Sequence, residues 1–386
     1  MRVLEVASVF PPHVGGLEVC VYEISKRLVP MGHQVIVYST NLPRSKTREY
    51  KDGMSIRRIP VLFTVFGAPV AIFLRYIIKE EADLIHVHIP PIFGALSSLL
   101  AGRIKKVPVV LTYHSDTRGD SPFEHFIATI YNVVLDRLVL SNVRAIVVPS
   151  QSQKLELCRR GISQNRIRVI SNGFDFQEEY TGANVKVIKQ RLGLQNEKIV
   201  LFVGALEKRK GVEYLLRATS KVLVAIENVK VMVVGDGNEK GSLQDLARSL
   251  KIDHMVRFMG YVTERARDDL YEISDVFVLP SLHETFGLVL LEAMSHKKPI
   301  VATKTFGAIE LVKTGFNGLL VEQRNPEQLA AAIVKILSRK DYGQQLGENG
   351  RRFSRKFGWE KTLQKYAELY DQVNRNVLGE KTLWES

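Results

Sequence analysis

A chain of 386 residues exceeds one typical hydrophobic core and points to two domains. With 45% hydrophobic and 25% charged residues it excludes disordered and low-complexity classes, and two cysteines exclude a disulfide scaffold. A net charge of +13 calls for an anionic partner, but no basic–aromatic interleaving or compact recognition helix accompanies it. A membrane surface or a phosphorylated acceptor is therefore preferred to nucleic acid.

Residues 3–9 read as a strand that runs into Pro11-Pro12, without the pattern of a cleaved leader. The loop that follows, Phe10 to Glu18, contains Gly15 and Gly16. Paired glycines let a backbone approach a ligand closely, and the helix predicted over 17–31 offers free N–H groups at its start. Strands are predicted over 34–39, 84–88, 107–113 and 145–149, with helical patterns between them. Such alternation argues for a parallel sheet covered on both faces. His114 sits at a strand end, where sites collect, whereas His86 and His88 alternate on one strand and read as core or lining residues. Residues 57–79 place Arg57, Arg58, Arg75 and Lys79 around Phe63, Phe66, Ile72 and Phe73, a pattern that suits a helix lying on an anionic bilayer. The apolar run 61–74 is too short and too interrupted to span one. Cys20 and Cys158 lie in unrelated contexts and read as thiols in a reducing compartment.

A polar stretch over 178–197 reads as a linker, after which the strand–helix rhythm restarts at 199–203, 229–234, 256–259, 276–280, 299–303 and 318–321. Within it, Glu284 and Glu292 stand eight positions apart, after an apolar strand and around Phe286-Gly287-Leu288. A strand, a glycine turn and a helix present N–H donors that attract phosphate. A carboxylate beside that site suits neighbouring sugar hydroxyls, one acid before the helix and one a turn inside it. The ligand matching this pattern has phosphates in the middle and hydroxyls at both ends, as a nucleotide sugar does. Beyond Trp359 a long amphipathic helix closes the chain.

The Glu-x7-Glu spacing, with Pro280-Ser281, Glu292-Ala293-Met294 and 299–302 around it, resembles retaining two-domain glycosyltransferases of family 4, the sucrose-synthase-like and mannosyltransferase-like enzymes. The resemblance covers nearly the whole chain. It implies an α/β GT-B architecture with two facing Rossmann-like domains: an acceptor-side domain over 1–183, a nucleotide-sugar domain over 184–361, and a helix over 362–386 crossing back to the first. It implies that Gly15 and Gly16 contact the donor diphosphate and His114 the donor sugar. Val262 and Arg267 would line the base pocket, and Phe286, Gly287 and Leu288 would bind the donor. Glu284 would orient the transferred sugar and Glu292 would grip the ribose.

One departure stands out. After Gly204 the family usually carries an arginine, and here Ala205 replaces it, while Lys210 is retained to meet the diphosphate. The expectation is that Arg209 compensates. The loop 305–310 resembles a GGxxE segment with its first glycine replaced, so only a structural role is carried over to it. No Asp-x-Asp pair is present, and neither a metal nor another cofactor is expected. The implied activity moves a hexose-type sugar to a lipid, lipid-linked or glycan acceptor, in the cytoplasm or peripherally at the membrane's cytoplasmic face. A sugar-nucleotide epimerase of similar architecture and a non-catalytic binding partner in glycan assembly remain the alternatives.

Overall fold

A computed structural model describes residues 1–375 except 14, 66–67, 91, 117–121 and 177–183. The chain forms two compact units, Met1–Gly173 with Trp359–Ser386, and Phe174–Gly358. The sequence boundaries at 183/184 and 361/362 thus differ from the divisions at 173/174 and 358/359. Local bonding accounts for the difference. Phe174 donates its N–H to the Phe357 carbonyl at 2.8 Å, closing the second unit. Gly173 lies against the Trp359 indole, where any Cβ would come within 2.2 Å of the ring. The expected linker is also partly core. Asn184 caps the helix Val185–Arg191, and Ile188 and Leu194 are buried in the second unit, while 178–183 lie outside the described residues.

The first unit carries an eight-stranded sheet in the order Ile167–Val169, Ala145–Val148, Val109–Tyr113, Leu84–Ile89, Arg2–Val6, Gln34–Thr40, Met54–Ile59 and Arg48–Lys51. Every neighbouring pair is parallel except the last, an antiparallel edge. Successive side chains point to opposite faces of a strand. Leu4, Val6, Ile85, Val87 and Leu111 therefore bury one face. Val3, Leu84 and Val110 bury the other, beneath the helices Gly16–Leu28 and Trp359–Arg375. Register pairs Glu5 with His86 and His88 with Thr112, so these polar groups share that second face. The final helix brings Trp359, Leu363, Tyr366 and Tyr370 to it, and its amphipathic pattern follows from this burial.

Residues 57–79 are not the bilayer helix expected from their composition. They hold the end of the strand Met54–Ile59, a hairpin of Phe63–Val65 with Ala68–Val70, and one short helix, Leu74–Ile77. Pro60 and Pro69 disfavour a continuous helix, and Phe66 and Gly67 lie outside the described residues. The cations are used internally: Arg57 pairs with Glu80, and buried Arg58 holds Glu49 at 2.9 Å and the Pro11 carbonyl at 2.7 Å.

The second unit has a six-stranded, wholly parallel sheet in the order Val256–Gly260, Val229–Val234, Lys198–Val203, Val276–Leu279, Ile300–Thr303 and Gly318–Val321. By their order within the unit, the strands run third, second, first, fourth, fifth, sixth. That is the doubly wound Rossmann order, whose switch point lies between Lys198–Val203 and Val276–Leu279. Both faces are covered by helices around one continuous apolar core.

Candidate active site

In an open parallel sheet a ligand sits beyond the strand ends at the switch point. Two loops of the second unit leave that point, 204–211 and 280–287, and both contain expected site residues. They are laced together by their backbones. Arg209 accepts the Leu282 N–H at 2.8 Å, and Gly211 adopts a left-handed conformation (φ 63°) against the Pro280 carbonyl. A Cβ at Gly211 would come within 2.2 Å of that oxygen, so only glycine allows the approach. The lacing brings Lys210 Nζ to 2.5 Å from Glu284 Oε2, with both side chains largely buried. Arg209 is placed differently. Its Nε pairs with Glu207 at 2.6 Å on the exposed side of the loop, not with Glu284. Ala205 is half-buried at the foot of the same loop.

The second loop ends in Gly287, left-handed at φ 88°, which starts the helix Leu288–Ser295. Phe286 is buried, while Leu288 is partly exposed at the helix start. The loop is clamped from a third side. Gly307 donates its N–H to the Glu284 carbonyl at 2.9 Å, and a Cβ there would lie 2.3 Å from the Phe286 carbonyl. Glu292 projects from the following turn, where Tyr271 donates to its Oε2 at 2.9 Å and Arg267 Nε lies 3.4 Å away. Burial raises the Glu292 pKa above its usual 4.5, with Arg267 and the Tyr271 hydroxyl opposing the shift. Tyr271 is itself stacked on His296, whose Nδ1 meets Glu272 at 2.7 Å. This Tyr271–His296–Glu272 support was not read from the sequence, where it looks like ordinary helix and loop. Val262 follows the strand Val256–Gly260 and is half-buried.

The first unit's expected residues sit at the matching ends of its own sheet. Gly15 caps the helix Gly16–Leu28, and the Glu18 carboxylate folds over it, 3.2 Å from His13 Nδ1. A Cβ on Gly15 would meet that carboxylate at 2.3 Å, whereas Gly16 has open space beside it. Val14 lies outside the described residues. His114 ends the strand Val109–Tyr113 and is buried, with its Nε2 3.1 Å from His88 Nδ1.

Behind His114 lies a buried polar cluster built on His86 and His88, the pair that alternates on one strand. His88 Nε2 is 2.8 Å from Glu5 Oε2, and His86 reaches Glu5 Oε1 at 3.2 Å and Thr112 at 2.7 Å. Tyr370 lies 2.7 Å from His86 Nδ1, and Tyr366 lies 3.3 Å from Thr112. Glu5, His86 and His88 bring three donor atoms within 4.8 Å of one another, a spacing a metal could use. Each is already engaged in hydrogen bonds, so the cluster closes on itself. Besides the alternating histidines, the signal in the sequence is a single glutamate, Glu5, inside an apolar strand.

Residues 14–178 match the family model described as Glycosyltransferase Family 4, and residues 184–353 match Glycosyl transferases group 1. An uncharacterized glycosyltransferase of Methanocaldococcus jannaschii, MJ1607, is 27% identical over 98% of this chain and 100% of its own. Among solved structures, sucrose-phosphate synthase from Thermosynechococcus elongatus superposes with a TM-score of 0.79 at 23% identity, covering 97% of this chain and 99% of that one. Anabaena HepE in complex with UDP-glucose gives a TM-score of 0.79 at 22% identity, covering 96% and 100%.

Proposed function

Since the chain belongs to the family 4-like glycosyltransferases of GT-B fold, we propose that it transfers a hexose-type sugar from a nucleoside diphosphate sugar with retained anomeric configuration. The observation that carries this reading is the Lys210–Glu284 pair at the switch point, with Glu292 on the helix that starts beside it. Lys210 and the N–H groups before Leu290 meet the diphosphate, and Glu284 holds the transferred sugar. Glu292, its carboxylate already bearing the Tyr271 donor, accepts the ribose hydroxyls. The binding of UDP-glucose by HepE supports this class of donor.

In this reading the acceptor hydroxyl attacks on the face from which the diphosphate leaves. The C–O bond to phosphate breaks as the new glycosidic bond forms, and the leaving phosphate oxygen takes the acceptor's proton. Lys210 and the helix start neutralise the charge that develops, and no divalent ion is assigned to that task. Val262 and Arg267 are assigned to the base. His114, Gly15 and Gly16 keep the roles their resemblance implies, contacts to the donor sugar and diphosphate. Arg209, whose Nε meets Glu207 on the exposed side of its loop, keeps the compensating role its place beside Lys210 suggests.

The acceptor is assigned to a lipid-borne class at an anionic membrane surface. Phe123, Phe126, Ile130, Val133 and Leu138 recur at helical spacing through Pro122–Leu135 and the turn that follows, and all are exposed. Exposed Arg103 and Arg137 lie beside them, Arg103 bonding Asn142 at 2.8 Å. Among the described residues no helix is long and apolar enough to cross a membrane.

The decisive experiment is calorimetry with UDP, GDP and ADP and their hexose conjugates, followed by product analysis with an acceptor panel. One nucleotide sugar should bind and release its sugar with retention. Glu284→Ala should keep most of the nucleotide affinity while losing turnover. Binding of none of the donors, or an inverted product, would refute the reading.

A further inference from the structure

Glu5 is fully buried in the middle of a strand whose neighbours are apolar, an expensive position for a carboxylate unless it is given donors. It receives them from both histidines of the adjacent strand, and the contact to His88 has a directional consequence. An ionised carboxylate can only accept hydrogen bonds, so the proton between Glu5 Oε2 and His88 Nε2, 2.8 Å apart, belongs to His88. A neutral imidazole carries one N–H, and His88 Nδ1 is then a bare acceptor. The only ring nitrogen 3.1 Å from it in the described contacts, His114 Nε2, must donate. His114 is left with a lone pair on Nδ1.

We infer that the chain Glu5–His88–His114 sets the tautomer of His114, making its Nδ1 an acceptor for a hydroxyl of the bound sugar. Glu5 and His88 are thus positioning residues for the transfer. This rests on the role proposed for His114 above. The protonation states agree with the geometry. His86 and His88 hold the Glu5 carboxyl down to about 2 against the opposing effect of burial. Burial lowers His88 to about 4, and it holds His114 well below its usual range. The carboxylate is also steadied from the last helix, since the Tyr370 hydroxyl lies 3.5 Å from Glu5 Oε1 and 2.7 Å from His86. The planes of the two imidazoles are inclined by 28°, with centroids 5.4 Å apart.

The tautomer can be read directly from two-bond proton–nitrogen correlation spectra of the full chain labelled with 15N-histidine, His114 being assigned through His114→Gln. The expected wild-type result is a single neutral Nε2–H form for His114. In His88→Phe and in Glu5→Gln that form should give way to a mixture or to the Nδ1–H form. Turnover should fall about 10- to 100-fold, by analogy with lost partners that orient metal-bound histidines, with a much smaller change in KM. A wild-type His114 that is charged or Nδ1–H would overturn the inference. So would an unchanged tautomer in both variants, or a stoichiometric metal in the purified protein. If one variant fails to fold by circular dichroism, the wild-type spectrum and the other variant still decide. If His114→Gln keeps full turnover while the wild-type tautomer is as expected, the role proposed for His114 fails and the relay stands.

Discussion

Glu292 shows how much a single acid depends on its surroundings. Eight positions from Glu284 it could be any exposed carboxylate; in place, it is partly desolvated and shares one oxygen with Tyr271 and Arg267. Its raised pKa gives a pH test with a fixed sign. Hydroxyls of a bound ribose donate more strongly to the ionised form than to the protonated one, so nucleotide binding should release protons and weaken as pH falls. Weakening should begin above pH 4.5, the ordinary carboxyl value. Calorimetry between about pH 5 and 8 measures it, and Glu292→Gln should flatten the dependence while costing ~1.5–3 kcal/mol per charged hydrogen bond lost. An affinity that is level, or that rises on acidification, would remove Glu292 from the ribose. Cys20 shows the opposite use of burial. Its thiol is pushed up to about 12, chiefly by desolvation, and donates to Asn172 Oδ1 at 3.4 Å.

At the scale of elements, the loops of the site are held to one another by backbone contacts. Gly211, Gly287 and Gly307 each occupy a place a side chain would spoil, two by positive φ and one by close approach to the Phe286 backbone. In sequence the loop 305–310 resembles a weakened family segment with a structural role. Thr305 now caps the helix Phe306–Leu311 through the Ala308 N–H, and Gly307 anchors the Glu284 carbonyl. Gly307→Ala should therefore displace the Glu284 loop and lower turnover together with stability, by roughly 1–3 kcal/mol as for other overpacked sites. Urea unfolding and steady-state rates check both. Wild-type stability and rate in this variant would show that the loop is not clamped here.

At the scale of the whole molecule, the first unit is completed by the end of the chain, because Trp359, Tyr366 and Tyr370 roof the sheet face that carries Glu5 and His88. Its exposed apolar helix face, with Arg103 and Arg137 beside it, should bind vesicles rich in anionic lipid and release them in high salt. Flotation tests this, with Phe126→Ser and Ile130→Ser as the paired variant. Equal flotation of neutral and anionic vesicles, or none at low salt, would sink the membrane assignment. Legible in the chain alone are the two parallel α/β units, the strand–glycine–helix setting of Glu284 and Glu292, and the family resemblance. Those rest on short-range periodicity and on spacing along one chain segment. Residues 57–79 do not form the helix their composition suggests, because composition does not reveal that Arg57 and Arg58 are spent on Glu80 and Glu49. The folded chain alone shows that Arg209 pairs with Glu207, and that Lys210 meets Glu284 across 74 positions. It likewise joined Glu5 to His88 and Tyr370. Such contacts depend on sheet register and loop closure, which bring together residues that no local pattern links.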